Sequence, residues 1–128
     1  MDMPWKSLAS VESGREYVVL LSYLPLRSYF SLPLFFRYSI QINAQLRETP
    51  GAMGYAMRAQ MFALHFWTLS VWDSDKALME FVAKVPHGEA MKKIAPYMDK
   101  TNFWRWKLPS SELPPHWDDA MARAAAKS

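Results

Sequence analysis

Residues 65–98, HFWTLSVWDSDKALMEFVAKVPHGEAMKKIAPYM, decide how this chain is read. His65–Trp72 is rich in β-branched and aromatic residues, with Trp67, Leu69 and Val71 on one face. Phe66 and Trp72 mix with Thr68 and Ser70 on the other, which predicts a strand. Asp73 or Ser74 then caps a helix, and Asp75 suits the positive end of its dipole. Ala77, Leu78, Phe81, Val82 and Val85 form an apolar stripe at helical spacing. Pro86 breaks that helix, His87 follows the break, and a short second helix runs through Met91 and Ile94 to Pro96.

On the N-terminal side, 51–62 alternates Met53, Tyr55, Met57, Ala59 and Met61 against Arg58 and Gln60, a strand with one apolar face. Ala63–Leu64 makes a short hairpin connection without the usual glycine or Asn-Gly signal. Further back, Ser31 is placed to cap a helix with Pro33 in its first turn. Leu34, Phe35, Tyr38, Ile42 and Leu46 share one face of it, and Thr49-Pro50-Gly51 stops it. Phe36 and Ile40 lie off that face, pointing to contact with the tail or another chain. Residues 17–24, YVVLLSYL, are almost continuously apolar and predict a strand buried on both faces. Residues 1–14 read as an irregular arm. C-terminal to the central stretch, 101–108 alternates as a last strand, and His116–Lys127 can form an Ala-rich helix that uses Trp117 and Met121.

The order β-α-β-β-α-β predicts an α+β, ferredoxin-like fold, with a four-stranded antiparallel sheet, both helices on one face and a C-terminal helical tail. One domain is expected over residues 1–128, its core about 15–108 and its tail 109–128. The second sheet face would be wet in a single copy, so a homodimer, a dimeric α+β barrel, is expected.

Composition narrows the chemistry. Net charge is +3 from 15 basic and 12 acidic residues, too small and too interleaved to imply nucleic acid. The absence of cysteine excludes disulfides, thiol catalysis and iron–sulfur clusters. The segment 1–14 has no apolar core of a signal peptide, and 29–42 is interrupted by Pro33 and Arg37. A soluble cytoplasmic protein that neither spans a membrane nor has one as partner is therefore expected. Aromatic residues make up 15% of the chain, including six Trp, which fits either a ligand cavity or an aromatic core and subunit seam.

Gly54–Tyr55, the run Phe66–Leu78, and Phe81 followed by His87 together resemble the dimeric α+β-barrel superfamily. Within it, the chain is most similar to antibiotic-biosynthesis-monooxygenase-like proteins and an uncharacterised family of monooxygenase-like domains. The Trp72, Phe81 and His87 pattern also resembles spheroidene monooxygenase, a haem-associated carotenoid oxygenase. The resemblance spans roughly Tyr17 to Leu108 and implies an oxidoreductase acting on an apolar or aromatic small molecule. It departs from haem-degrading members, whose helical Trp and His align with Phe81 and Met91 here.

The leading site candidate is His87, readable as general base, haem ligand or substrate contact, or as a cap that fixes the helix break. Arg58 or Arg105 could meet a carboxylate or oxyanion, and Arg58 is the first choice for the electrostatic clamp. Trp72, Trp67, Tyr55, Phe81 and Met91 are the expected pocket walls, with core packing as the competing reading for each ring. Three scattered His give no metal-ligand spacing, so the cofactor is expected to be none, or haem through His87. The expected activity is monooxygenase-like oxidation. The alternative is a non-catalytic binder of haem or another hydrophobic small molecule.

Overall fold

The computed structural model describes the backbone of residues 2–83 and 87–127 and the side chains of 2–83 and 91–126. In chain order the elements are β1 (Lys6–Ser7), β2 (Glu16–Pro25), α1 (Leu32–Arg47), β3 (Ala52–Gln60), β4 (His65–Trp72), α2 (Asp75–Ala83), α3 (His87–Ile94), β5 (Asn102–Pro109) and α4 (Trp117–Lys127). The strands form one antiparallel sheet in the order β1-β3-β4-β2-β5. Its four long strands and the helices between them have the ferredoxin-like α+β arrangement. The fifth strand comes from the arm expected to be irregular, where Lys6 and Ser7 pair with Tyr55 and Gly54.

Local chemistry explains the boundaries. Ser74 supplies the cap of α2, its Oγ accepting from the Ala77 N–H at 3.1 Å. Ser31, expected to cap α1, is instead helical and makes no capping bond. Ser28 takes that role one turn earlier, accepting from the Phe30 N–H and starting a 3-10 turn that leads into Pro33. The β3–β4 turn closes without glycine because Leu64 itself adopts φ +58°, while its side chain is buried against Phe66 and Leu26. That burial offsets the cost of a left-handed non-glycine residue.

The two sheet faces have different covers. On one, α1, α2 and α3 pack over Val18, Tyr55, Phe66 and Trp72. On the other, Trp117, Ala120, Met121 and Ala124 of α4 pack over Tyr17, Val19, Leu21, Leu69 and Val71. Two cation–π contacts hold α4 there: Arg58 over Trp117 at 4.8 Å and Arg123 over Trp106 at 5.2 Å. The face that was expected to need a second subunit is thus covered by the chain's own tail. Phe36 and Ile40 remain exposed on α1 and do not reach α4, which lies across the sheet.

A β-bulge between Ala52 and Gly54 shifts the β3 register. Met53, expected to share a face with Tyr55 and Met57, consequently packs under α4, while Tyr55 faces the helices.

Two glycines separate backbone strain from crowding. Gly51 has φ +91°, and a Cβ there would sit 2.6 Å from both Ala77 Cβ and Asp73 Oδ1, whereas Gly14 at φ +79° has open space. Gly51→Ala should cost about 2–4 kcal/mol in urea unfolding, combining backbone strain with overpacking. Gly14→Ala should cost only about 1–2 kcal/mol. Equal losses would show that the Gly51 contact relaxes freely. A chain truncated after Glu112 should elute as a larger species by light scattering than the full chain, since it bares the α4 face. An unchanged mass would show that this face tolerates water.

Candidate functional site

Between the sheet and α1–α3 lies a cavity of about 680 Å³. Its floor follows from strand register. The rows Tyr55–Ser70–Leu20 and Met57–Thr68–Ser22 run across β3, β4 and β2, flanked by the bulkier Trp72 row at one end and the Phe66 row at the other. The short Ser70, Thr68 and Ser22 within these rows leave space that the helices do not fill. Phe35, Ile42, Leu78, Phe81, Met91 and Ile94 form much of the apolar roof and ends. The size and the few polar groups in an apolar wall suit a small organic molecule.

The polar groups are few. The Ser70 Oγ accepts from Trp72 Nε1 at 3.0 Å, which fixes the indole as a wall. Ser22 and Thr68 are direct cross-strand partners on the floor, and Asn43 joins them from α1. Arg105 is the only charged side chain among the described lining residues. It is half exposed and lies 3.2 Å from the Asp75 carboxylate at the start of α2. With Met79, Val82 and Phe103, also exposed, it marks where the cavity meets solvent.

Of the residues expected from sequence, Tyr55, Trp72, Phe81 and Met91 are brought together in this wall. Trp67 and Arg58 are not. They are direct partners across β3 and β4, one residue out of phase with the floor, and so lie on the α4 face. There Trp67 packs against Tyr23 at 4.4 Å and stacks with Trp104 at 6.2 Å. Arg58 binds the Asp2 carboxylate through two hydrogen bonds of 2.7 and 2.8 Å. His87 opens α3 one helical turn before Met91, and its side chain lies outside the described residues.

Ser22, Thr68, Asn43 and Arg105 complete the site. The available signal for the first two was a hydroxyl inside strands otherwise rich in large apolar residues. Their shared row became visible only with the register.

The shifted ionisations belong to the other face. Hydrogen bonding to Arg58 holds the Asp2 carboxyl below its usual value, against a smaller opposing effect of burial. Burial, helped by Asp99, raises the Tyr23 phenol. Among the described residues, no group of three or more His, Asp or Glu could hold a metal ion. Nor is any described helix long and apolar enough to cross a membrane.

No protein-family model and no curated protein matches the sequence. Solved structures do share the fold. A candidate monooxygenase from Lactobacillus acidophilus NCFM superposes with TM-score 0.63 at 10% identity, over 77% of this chain and 50% of that one. This chain thus spans half the length of that protein. An antibiotic biosynthesis monooxygenase superposes with TM-score 0.64 at 11% identity, over 70% of this chain and 95% of that one. A dimeric ferredoxin-like protein of unknown function from Thermobifida fusca YX gives 0.61 at 13%, over 77% and 97%.

These placements make Arg58 a clamp for α4. Arg58→Ala should lower unfolding stability by about 1–2 kcal/mol through the lost cation–π contact and ion pair, without changing ligand uptake by the cavity. A variant that loses uptake at full stability would return Arg58 to the site. The Asp2 carboxyl is lowered on folding, so its contribution is present above the ordinary carboxylate pKa and disappears as pH falls through the lowered value. Asp2→Asn should remove less than about 1 kcal/mol at neutral pH, because the pair is partly exposed and screened, and the deficit should vanish in acid.

Proposed function

We propose that the cavity takes an apolar or aromatic small molecule, on which the protein acts as a monooxygenase-like oxidoreductase. The observation that carries the reading is the mostly apolar cavity with its small hydroxyl floor, Ser22, Thr68 and Ser70, and a single described cation at its mouth. The likeness in fold to an antibiotic biosynthesis monooxygenase supports the reaction class in this reading. In the proposed assignment, Trp72, Tyr55, Phe81 and Met91 are the walls. Arg105 replaces Arg58 as the group that meets a developing oxyanion.

His87 is the proposed base, one turn before Met91 on α3. Removal of a proton from an acidic ring CH₂ leaves a carbanion that dioxygen oxidises. The resulting hydroperoxide loses water, so CH₂ and O₂ become a carbonyl and H₂O. The chain's task is then to hold the ring, exclude water and stabilise the enolate.

Haem, the cofactor suggested by His87, fits the described wall poorly. Its two carboxylates would face one described cation, Arg105, itself paired with Asp75. A second reading, a non-catalytic binder of a hydrophobic molecule, is favoured by the mostly apolar wall. As for assembly, pairing two sheets face to face competes with α4 for the same surface. A homodimer of this chain would therefore displace α4 or use another face.

Oxygen uptake with a hydroxyanthrone separates the readings. The parent protein should exceed the spontaneous rate, His87→Ala should lose at least about 100-fold, and the floor-filling Thr68→Phe should lose both turnover and binding of the neutral probe N-phenyl-1-naphthylamine. Probe binding without oxygen uptake would leave the binder. A Soret band on haemin titration that disappears in His87→Ala would replace both by a haem protein.

A further inference from the structure

One end of the molecule is built from three neighbouring segments: the β2–α1 connection, the β3–β4 turn and the stretch after α3. They are tied together by Leu26 N–H to Leu64 O at 2.8 Å, by Arg27 N–H to Tyr97 O at 3.0 Å, and by the Tyr29 hydroxyl donating to the Phe62 carbonyl. Among the described residues, five of the six exposed aromatic rings are here: Tyr29, Phe30, Phe36, Phe62 and Tyr97. Phe30 and Phe62 are 95% and 94% exposed, so neither contributes to the core. Such a concentration of rings on a water-facing surface calls for a partner.

The surrounding charge selects the kind of partner. Exposed Arg27, Arg37, Lys92, Lys93 and Lys100 lie in or beside these segments, against two carboxylates of the same stretch of chain, Glu89 and Asp99. Five cations against two carboxylates leave a local excess of three positive charges. Phe and Tyr side chains on loop tips, ringed by Arg and Lys, match the layered chemistry of a bilayer surface, with phosphates outside and acyl carbons beneath.

We propose that this end docks peripherally on an anionic lipid bilayer, with Phe30 and Phe62 entering the headgroup–acyl boundary and the basic ring meeting lipid phosphates. No membrane-crossing helix is needed for such contact. The proposal goes beyond the reading of the cavity and stands without it. The two are adjacent, however: Phe35 and Met98, which line the cavity, are sequence neighbours of the exposed Phe36 and Tyr97.

The test is co-sedimentation of the full chain with vesicles of phosphatidylcholine, alone or with phosphatidylglycerol. The parent protein should pellet with the anionic vesicles and be released by high salt. Phe30→Ser/Phe62→Ser should weaken binding by roughly tenfold or more with an unchanged melting temperature, since both rings are in water. Arg27→Gln/Arg37→Gln should weaken it on anionic vesicles only. Absence of vesicle binding by the parent, or equal binding by the Phe variant, would overturn the proposal. So would an ultracentrifuge experiment in which the Phe variant splits a parent dimer while vesicle binding is nil; the end would then be a subunit contact.

Discussion

The constraint on which this structure depends is that the central strands β2 and β4 are apolar on both faces, so the sheet needs two covers. Val19, Leu21, Leu69 and Val71 would otherwise meet water on one side, as Val18, Phe66 and Trp72 would on the other. Burying an aliphatic side chain of this size is worth roughly 1.5–3 kcal/mol, so neither face can be left bare in a domain of ordinary stability. The helices between the strands cover one face. The C-terminal helix covers the other, and Arg58 and Arg123 fasten it through the rings of Trp117 and Trp106.

That division of labour assigns the aromatic residues. Trp67, Trp106 and Trp117 belong to the seam beneath α4, and Trp104 stacks on Trp67 there while also lining the cavity. Trp72, Tyr55 and Phe81 belong to the helix side, where the short Ser70, Thr68 and Ser22 between the bulkier Trp72 and Phe66 rows leave space under the helices. The cavity is therefore a product of side-chain size along two sheet rows. No helix has to be displaced to form it.

The same division bears on assembly and surface. With α4 in place, an incoming second sheet finds the face occupied, and the largest concentration of exposed rings lies elsewhere, at the Phe30–Phe62 end.

The sequence by itself determined the four long strands, the helices and their order, but not the short β1 strand in the N-terminal arm. Alternation in 65–72, the stripe Ala77–Leu78–Phe81–Val82, a cap at Asp73 or Ser74 and the stop at Thr49-Pro50-Gly51 are local signals, and local sterics and hydrogen bonding enforce them within a few residues. The double-sided apolarity of 17–24 also announced that a second cover was needed. Tertiary structure decided which cover. An Ala-rich tail and a second subunit satisfy the same apolar demand, and only long-range packing distinguishes them. It likewise decided the membership of the site: a single bulged residue at Met53 and the pairing of Arg58 with Trp67 determine which side chains share a face, and register is a property of paired strands that neither strand contains alone.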